Sequence, residues 1–316
     1  MAAPAQTGAT SITGLEHWTD KPPGVRLFLW EKFQGSPEDK PLAFFVHGSS
    51  MASTPTFDLR IPGKPSPMDY FASLGYDCWC VDMEGYGRSS KHRDINCDIA
   101  TGADDLEAAT AYIQRQRGPR PLAMYGISSG ALRAALFAQR HPDRVKRLAL
   151  DAFVWTGEGS PTLEERRKKL PQWQASNRRP IDRDFVRSIF SRDGHPDTAD
   201  QNTVEAFADA ILALDDSIPN GTYVDMCANL PLVDPAQLTV PTLMMRGQWD
   251  GIAGFQDLLA FFEHLPNPDK QLTVMPGISH SSLHQKNWAM VYHIIASWFS
   301  QPDPAYASSP RGRGLG

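Results

Sequence analysis

The segment Gly126-Ile127-Ser128-Ser129-Gly130 leaves its backbone little choice. An apolar run, PLAMY (121–125), leads into it. A strong helix former, SGALRAALFAQRHP (129–142), leaves it and stops before Pro142. A strand that becomes a helix within one or two residues must turn in very little space. Gly126 and Gly130 let the backbone fold tightly, and the residue between them is driven into strained dihedrals with its side chain exposed. G-x-S-x-G between strand and helix points to Ser128 as a nucleophile, with the N–H of Ser129 facing the same site. The plain alternative is a serine that N-caps a helix on a Gly-rich turn. The strand before and the helix after favour chemistry.

The rest of the chain repeats this rhythm. PLAFFVHG (41–48), YDCWCVDM (76–83), PLAMYGIS (121–128), VKRLALDAF (145–153), PTLMMRG (241–247) and KQLTVMPG (270–277) are apolar on both faces. Such runs suit parallel strands covered by helices. VRLFLWEKF (25–33) alternates and is expected as an antiparallel edge strand. Helical patterns at 98–116, 129–142, 254–266 and 282–299 separate the strands. The predicted class is α/β, a mostly parallel central sheet with helices on both faces. Residues 156–232 break the rhythm, with TLEERRKKL, DRDFVRSIF and TVEAFADAILAL all helical in pattern and no convincing strand. They are expected to form a helical cap over one end of the sheet. The expected organisation is therefore a core of 1–155 and 233–300, a cap of 156–232 and a disordered tail of 301–316.

Composition narrows the function classes. The chain has 316 residues, 41% hydrophobic and 21% charged, which fits a globular protein and excludes general disorder. Its 31 basic and 36 acidic residues give a net charge of -5 without a basic stripe, so no nucleic-acid partner is expected. The four cysteines, Cys78, Cys80, Cys97 and Cys227, follow neither a disulfide scaffold nor a zinc spacing. No metal and no cofactor are expected. No apolar stretch is long enough to span a membrane. The N-terminal segment lacks a secretory pattern, so a cytoplasmic, reducing location is expected. Oligomeric state stays open, a homodimer included.

A serine hydroxyl needs a base to take its proton, and the base needs an acid to orient it. TLMMRGQWDG ends a strand and puts Asp250 in the next loop; LTVMPGISHSS does the same for His280. The order Ser128, Asp250, His280 suits the G-x-S-x-G arrangement. Asp151, in LALDAF, is the rival acid, because it follows another strand at the same sheet edge. Among nine histidines, His280 stands out by position after Pro-Gly at a strand end. His284 and His293 lie on a helical pattern and read as facing solvent or core. The oxyanion of acyl transfer needs two donors. One is the N–H of Ser129; the other is assigned to Ser49 in the loop His47-Gly48-Ser49-Ser50-Met51, with Ser50 as the alternative. His47 reads as a brace for that loop. Met51, Phe153, Trp155 and Trp249 are candidates to line an apolar pocket.

Together FFVHGSS, DMEGYGRSS (82–90), GISSG, RGQWDG and PGISHSS resemble the α/β-hydrolase fold superfamily, over roughly residues 25–155 and 233–300. In that resemblance DMEGYGRS matches a D-x-x-G-x-G-x-S turn in which Asp82, Gly85 and Gly87 are structural. The serine at the elbow excludes the dehalogenases and epoxide hydrolases of this fold, which use an aspartate there. The resemblance implies a serine hydrolase acting on a small to medium carboxylic ester or lactone through an acyl-enzyme. Two alternatives share these residues: a carbon–carbon hydrolase of a vinylogous diketone acid, and a non-catalytic ligand receptor.

Overall fold

The computed structural model describes residues 11–305. Among the described residues ten strands are formed: β1 (Ile12–Lys21), β2 (Val25–Gln34), β3 (Leu42–Val46), β4 (Asp77–Val81), β5 (Leu122–Ile127), β6 (Val145–Asp151), β7 (Arg178–Pro180), β8 (Ser217–Pro219), β9 (Thr242–Gly247) and β10 (Lys270–Met275). Eight make one sheet in the order β1-β2-β4-β3-β5-β6-β9-β10. The β1–β2 and β2–β4 pairs are antiparallel and the rest parallel. All six doubly apolar runs form strands. β2 is antiparallel as expected but is not the edge, because β1 pairs outside it along its whole length. Half of the residues of β1 (ITGLEHWTDK) are exposed and only two are buried, so the strand carries no apolar run to announce it.

Helices α1 (Ser53–Phe57), α2 (Pro67–Ser73), α3 (Ile99–Arg117) and α4 (Ser129–Arg140) lie among the first strands. Then come α5 (Pro161–Arg167), α6 (Leu170–Gln174), α7 (Arg183–Ser191), α8 (Gln201–Leu212) and α9 (Gly221–Val224), and finally α10 (Phe255–His264) and α11 (Trp288–Ser300). Residues 156–232 are mainly helical, but β7 and β8 form a short antiparallel pair there, which corrects the expectation of no strand. Three-residue strands are too short to carry a hydrophobic period.

The sheet separates two cores, and successive strand residues alternate between them. Phe44, Val46, Trp79, Met124 and Leu150 pack with Leu106 and Ile113 of α3, Leu132 of α4 and Phe261 of α10. Ala43, Phe45, Cys80, Tyr125 and Ala149 pack with Met68 and Phe71 of α2 and Ile295 of α11. The helix expected over 282–299 is interrupted: Ser282–His284 form a single tight turn, and α11 begins at Trp288. The side chain of Gln285 folds back to accept from the N–H of Ser279 at 2.7 Å, which holds this segment off the helical path. Of the tail expected at 301–316, residues 306–316 lie outside the described residues. Residues 301–305 form no helix or strand, and Asp303 pairs with Arg147 at 3.3 Å.

Candidate active site

β5 ends at Ile127 and α4 begins at Ser129, so one residue makes the turn. That residue, Ser128, has φ 58° and ψ -127°, a left-handed conformation costing about 1–3 kcal/mol in a non-glycine residue. Its N–H donates to the Asp151 carbonyl at 2.8 Å, which ties the turn to the end of β6. The start of α4 is pressed against the end of β3. A Cβ on Gly130 would sit 2.5 Å from the His47 carbonyl oxygen, and one on Gly126 would sit 2.5 Å from that of Gly130. Only glycine fits at either place.

Ser128 Oγ is 2.9 Å from His280 Nε2, and His280 Nδ1 is 2.9 Å from Asp250 Oδ1. With its proton on Nδ1, the imidazole donates to Asp250 and accepts from the Ser128 hydroxyl. Asp250 Oδ1 also accepts from the N–H groups of Ile252 at 2.8 Å and Ala253 at 3.2 Å. Burial opposes ionisation of Asp250, but His280 and these two N–H groups outweigh it and hold the carboxyl below its ordinary range. The His280 N–H donates to Asp193 Oδ2 at 3.0 Å. Asp151, the rival acid, is engaged elsewhere. Its Oδ2 accepts from the Tyr125 hydroxyl at 2.6 Å and from the Ser282 hydroxyl. Burial pushes its carboxyl up to about 6 despite those two donors.

The loop after β3 is braced from below. His47 donates from Nδ1 to the Gly48 carbonyl at 2.7 Å and accepts at Nε2 from the Met83 N–H at 3.0 Å. Burial, reinforced by the Arg133 charge, lowers its pKa to about 3, which suits that neutral tautomer. The turn after β4 is anchored by Asp82, which accepts from the N–H groups of Ser53 at 2.8 Å and Arg88 at 2.9 Å. Ser49 lines the cavity beside Ser128. Ser129 is the first residue of α4, so its N–H has no partner within the helix.

Ser128 and His280 open onto a narrow cavity of about 30 Å³. Met51, Ile127, Ile189, Phe207 and Leu283 give its apolar lining, and Arg166, Arg192 and His284 are also in its wall. Of the four apolar candidates only Met51 is there. Ala152 takes φ 52°, and the segment beyond it packs on α10. Phe153 is buried against Phe261, with ring centroids 4.7 Å apart, and Trp155 lies 5.8 Å from the same ring. Trp249 is 39% exposed and stacks on His195 at 4.1 Å. Ile189, Arg192, Phe207 and His284 were not legible as lining residues. An amphipathic period marks the buried face of a helix but not whether that face meets core or cavity. Among the described residues, no group of three or more His, Cys, Asp or Glu is placed to hold a metal ion, and no helix is long and apolar enough to cross a membrane.

A family model described as "Serine aminopeptidase, S33" matches residues 65–287. Solved structures resemble the chain over most of its length. An esterase from Exiguobacterium antarcticum has a TM-score of 0.68 at 15% identity, covering 91% of this chain and 100% of that one. E-2-(Acetamidomethylene)succinate hydrolase has a TM-score of 0.66 at 18% identity, covering 92% and 100%. The thioesterase domain from the curacin biosynthetic pathway has a TM-score of 0.62 at 17% identity, covering 90% and 99%. At these identities the likeness is one of fold.

Proposed function

The chain belongs to the serine aminopeptidase S33 family of α/β-hydrolases, and on that footing we propose that it cleaves a small to medium carboxylic ester or lactone through an acyl-enzyme. The observation that carries this reading is the 2.9 Å approach of His280 Nε2 to the strained hydroxyl of Ser128. In this mechanism Ser128 Oγ attacks the substrate carbonyl carbon while His280 Nε2 takes its proton. The negative charge that forms on the carbonyl oxygen is held by the N–H groups of Ser129 and Ser49. His280 then gives the proton to the departing alkoxide, leaving an ester on Ser128. Water attacks that ester, with His280 again as base, and the acid leaves. Asp250 holds the imidazole in the working tautomer and stabilises the imidazolium of each step.

Residues 156–232 act as the cap in this reading, since Arg166, Ile189, Arg192 and Phe207 all line the cavity with Ser128. The lining also bears on the aminopeptidase in the family description. Among the described lining residues there is no Asp or Glu, while Arg166 and Arg192 are present. That is the wrong sign for a peptide α-ammonium group and favours an ester.

Replacing Ser128 by alanine tests the reading. Turnover of the best substrate in a p-nitrophenyl ester series should fall about 10⁶-fold, as for other nucleophiles of this kind. A fluorophosphonate probe should label the native protein and not Ser128→Ala. A variant that keeps about a tenth of native activity would refute the assignment.

A further inference from the structure

The cavity that exposes Ser128 is also lined by two arginines, Arg166 of α5 and Arg192 just beyond α7. The two are linked through Tyr223 of α9 to a third, Arg179 of β7. Cζ of Arg179 lies 3.7 Å from the Tyr223 ring centroid and Cζ of Arg166 lies 4.2 Å from it. Arg192 acts on the same phenol. Among the described residues, none of the three guanidiniums has a carboxylate at ion-pair distance. The carboxylates whose charges reach Arg192, those of Asp193 and Asp250, are both engaged by His280. Nε of Arg192 and both Nε and Nη2 of Arg179 are enclosed without a hydrogen-bond partner. Elsewhere in the fold the buried Arg147 pairs with Asp269 at 2.9 Å, whereas the buried Arg133 also has no carboxylate at ion-pair distance among the described residues and leaves Nε and Nη2 without a partner.

Enclosing like charges without a counter-ion is unfavourable, and such groups are normally paired. The Tyr223 ring faces offset part of the cost. Ionising Tyr223 would supply one negative charge against three positive ones. Within the cluster the guanidiniums therefore outnumber the phenolate even when Tyr223 is ionised.

We propose that Arg166 and Arg192, backed by Arg179 and Tyr223, form an anion subsite, and that the substrate carries a carboxylate a short chain away from its scissile ester. This rests on the reading of Ser128 as nucleophile. A guanidinium binds a planar carboxylate through paired N–H donors, and the apolar part of the cavity lining suits a short hydrocarbon spacer.

Two matched pairs of esters test it. Methyl hydrogen glutarate against methyl pentanoate puts the charge on the acyl side; 4-acetoxybutanoate against butyl acetate puts it on the alcohol side. In at least one pair kcat/KM should favour the charged ester by about tenfold or more, mainly through KM. Arg192→Gln and, separately, Arg166→Gln should collapse that ratio, and Arg192→Lys should restore part of it. Equal or lower kcat/KM for the charged ester in both pairs overturns the subsite while leaving the hydrolase reading intact. Calorimetric binding of glutarate to the Ser128→Ala protein reads the subsite without chemistry. Binding that Arg192→Gln weakens about tenfold would support the subsite even if no ester is turned over. Absence of glutarate binding would overturn it.

Discussion

Asp151 ends β6, Asp250 lies in the loop after the neighbouring β9, and the two differ in what surrounds them. Asp250 accepts two backbone N–H groups and the imidazole, and is held ionised. Asp151 accepts two hydroxyls in a fully buried site, and burial pushes it up to about 6 from 3.8. A carboxyl whose folded pKa is raised holds its proton more tightly in the native state. Its contribution to stability is complete below the unfolded value and declines as pH rises through the folded one. Asp151→Asn mimics the protonated form. The variant should match the native protein near pH 4 and exceed it above pH 6–7, by roughly 3 kcal/mol at most. Urea midpoints at several pH values would check this; a native advantage at pH 7 would show that Asp151 is stabilised as the anion. Both aspartates were readable as loop acids after strands. The choice between them turns on donors supplied by Ile252, Ala253, Tyr125 and Ser282, and strand patterning carries no trace of those.

At the scale of elements, β3, β4, β5, β6 and β9 were legible because they are buried on two faces and so read as apolar runs, while β10, at the sheet edge, is only partly buried. β1 was not legible, since only two of its ten residues are buried and they leave no apolar period to read. The α5–α9 region was legible as helical, while the meeting of Arg166, Arg179 and Arg192 around Tyr223 was not. Those residues come from a helix, a strand, a helix end and another helix, and no spacing links them. Their convergence has a pH consequence. Burial raises the Tyr223 pKa, but Arg166, Arg179, Arg192 and a hydrogen bond with Ser50 outweigh it and pull it down to about 7. As pH rises through 7 the phenolate forms and removes one net positive charge from the cluster. The preference for a carboxylate-bearing ester over its neutral partner should then fall, on the order of threefold between pH 6 and 8. Taking the ratio of the two esters cancels any pH effect that is common to both. Tyr223→Phe should flatten the ratio, and a preference that rises with pH in the native protein would contradict the cluster's role.

Across the whole molecule, the candidate site lies at the carboxyl ends of β3, β5, β9 and β10, where parallel sheets commonly bind ligands. The first strands are fastened by buried charges instead. Lys21, the last residue of β1, reaches Glu84 of the turn after β4 at 2.9 Å and also pairs with Asp105 of α3. Asp105 Oδ2 accepts from the Glu84 N–H at 2.8 Å, and Glu84 is shared with Arg93. One ammonium therefore joins an edge strand, a loop and a long helix. Burial already pushes Asp105 up to about 6, against the pull of Lys21. Lys21→Met removes that pull and leaves Asp105 enclosed without a cation, beside a Glu84 that Arg93 still pairs. The loss should be about 3–5 kcal/mol at pH 8, the usual cost of breaking a buried pair from one side. It should shrink near pH 5, where Asp105 takes up a proton and the repulsion ends, because the raised pKa favours the folded state only below it. Adding Asp105→Asn to Lys21→Met should recover much of the loss at pH 8. Guanidinium unfolding of the three proteins at both pH values would check this. A loss for Lys21→Met that is the same at pH 5 and pH 8 would mean that the lysine acts through packing of its stem, and that charge is not what fastens β1 to the sheet.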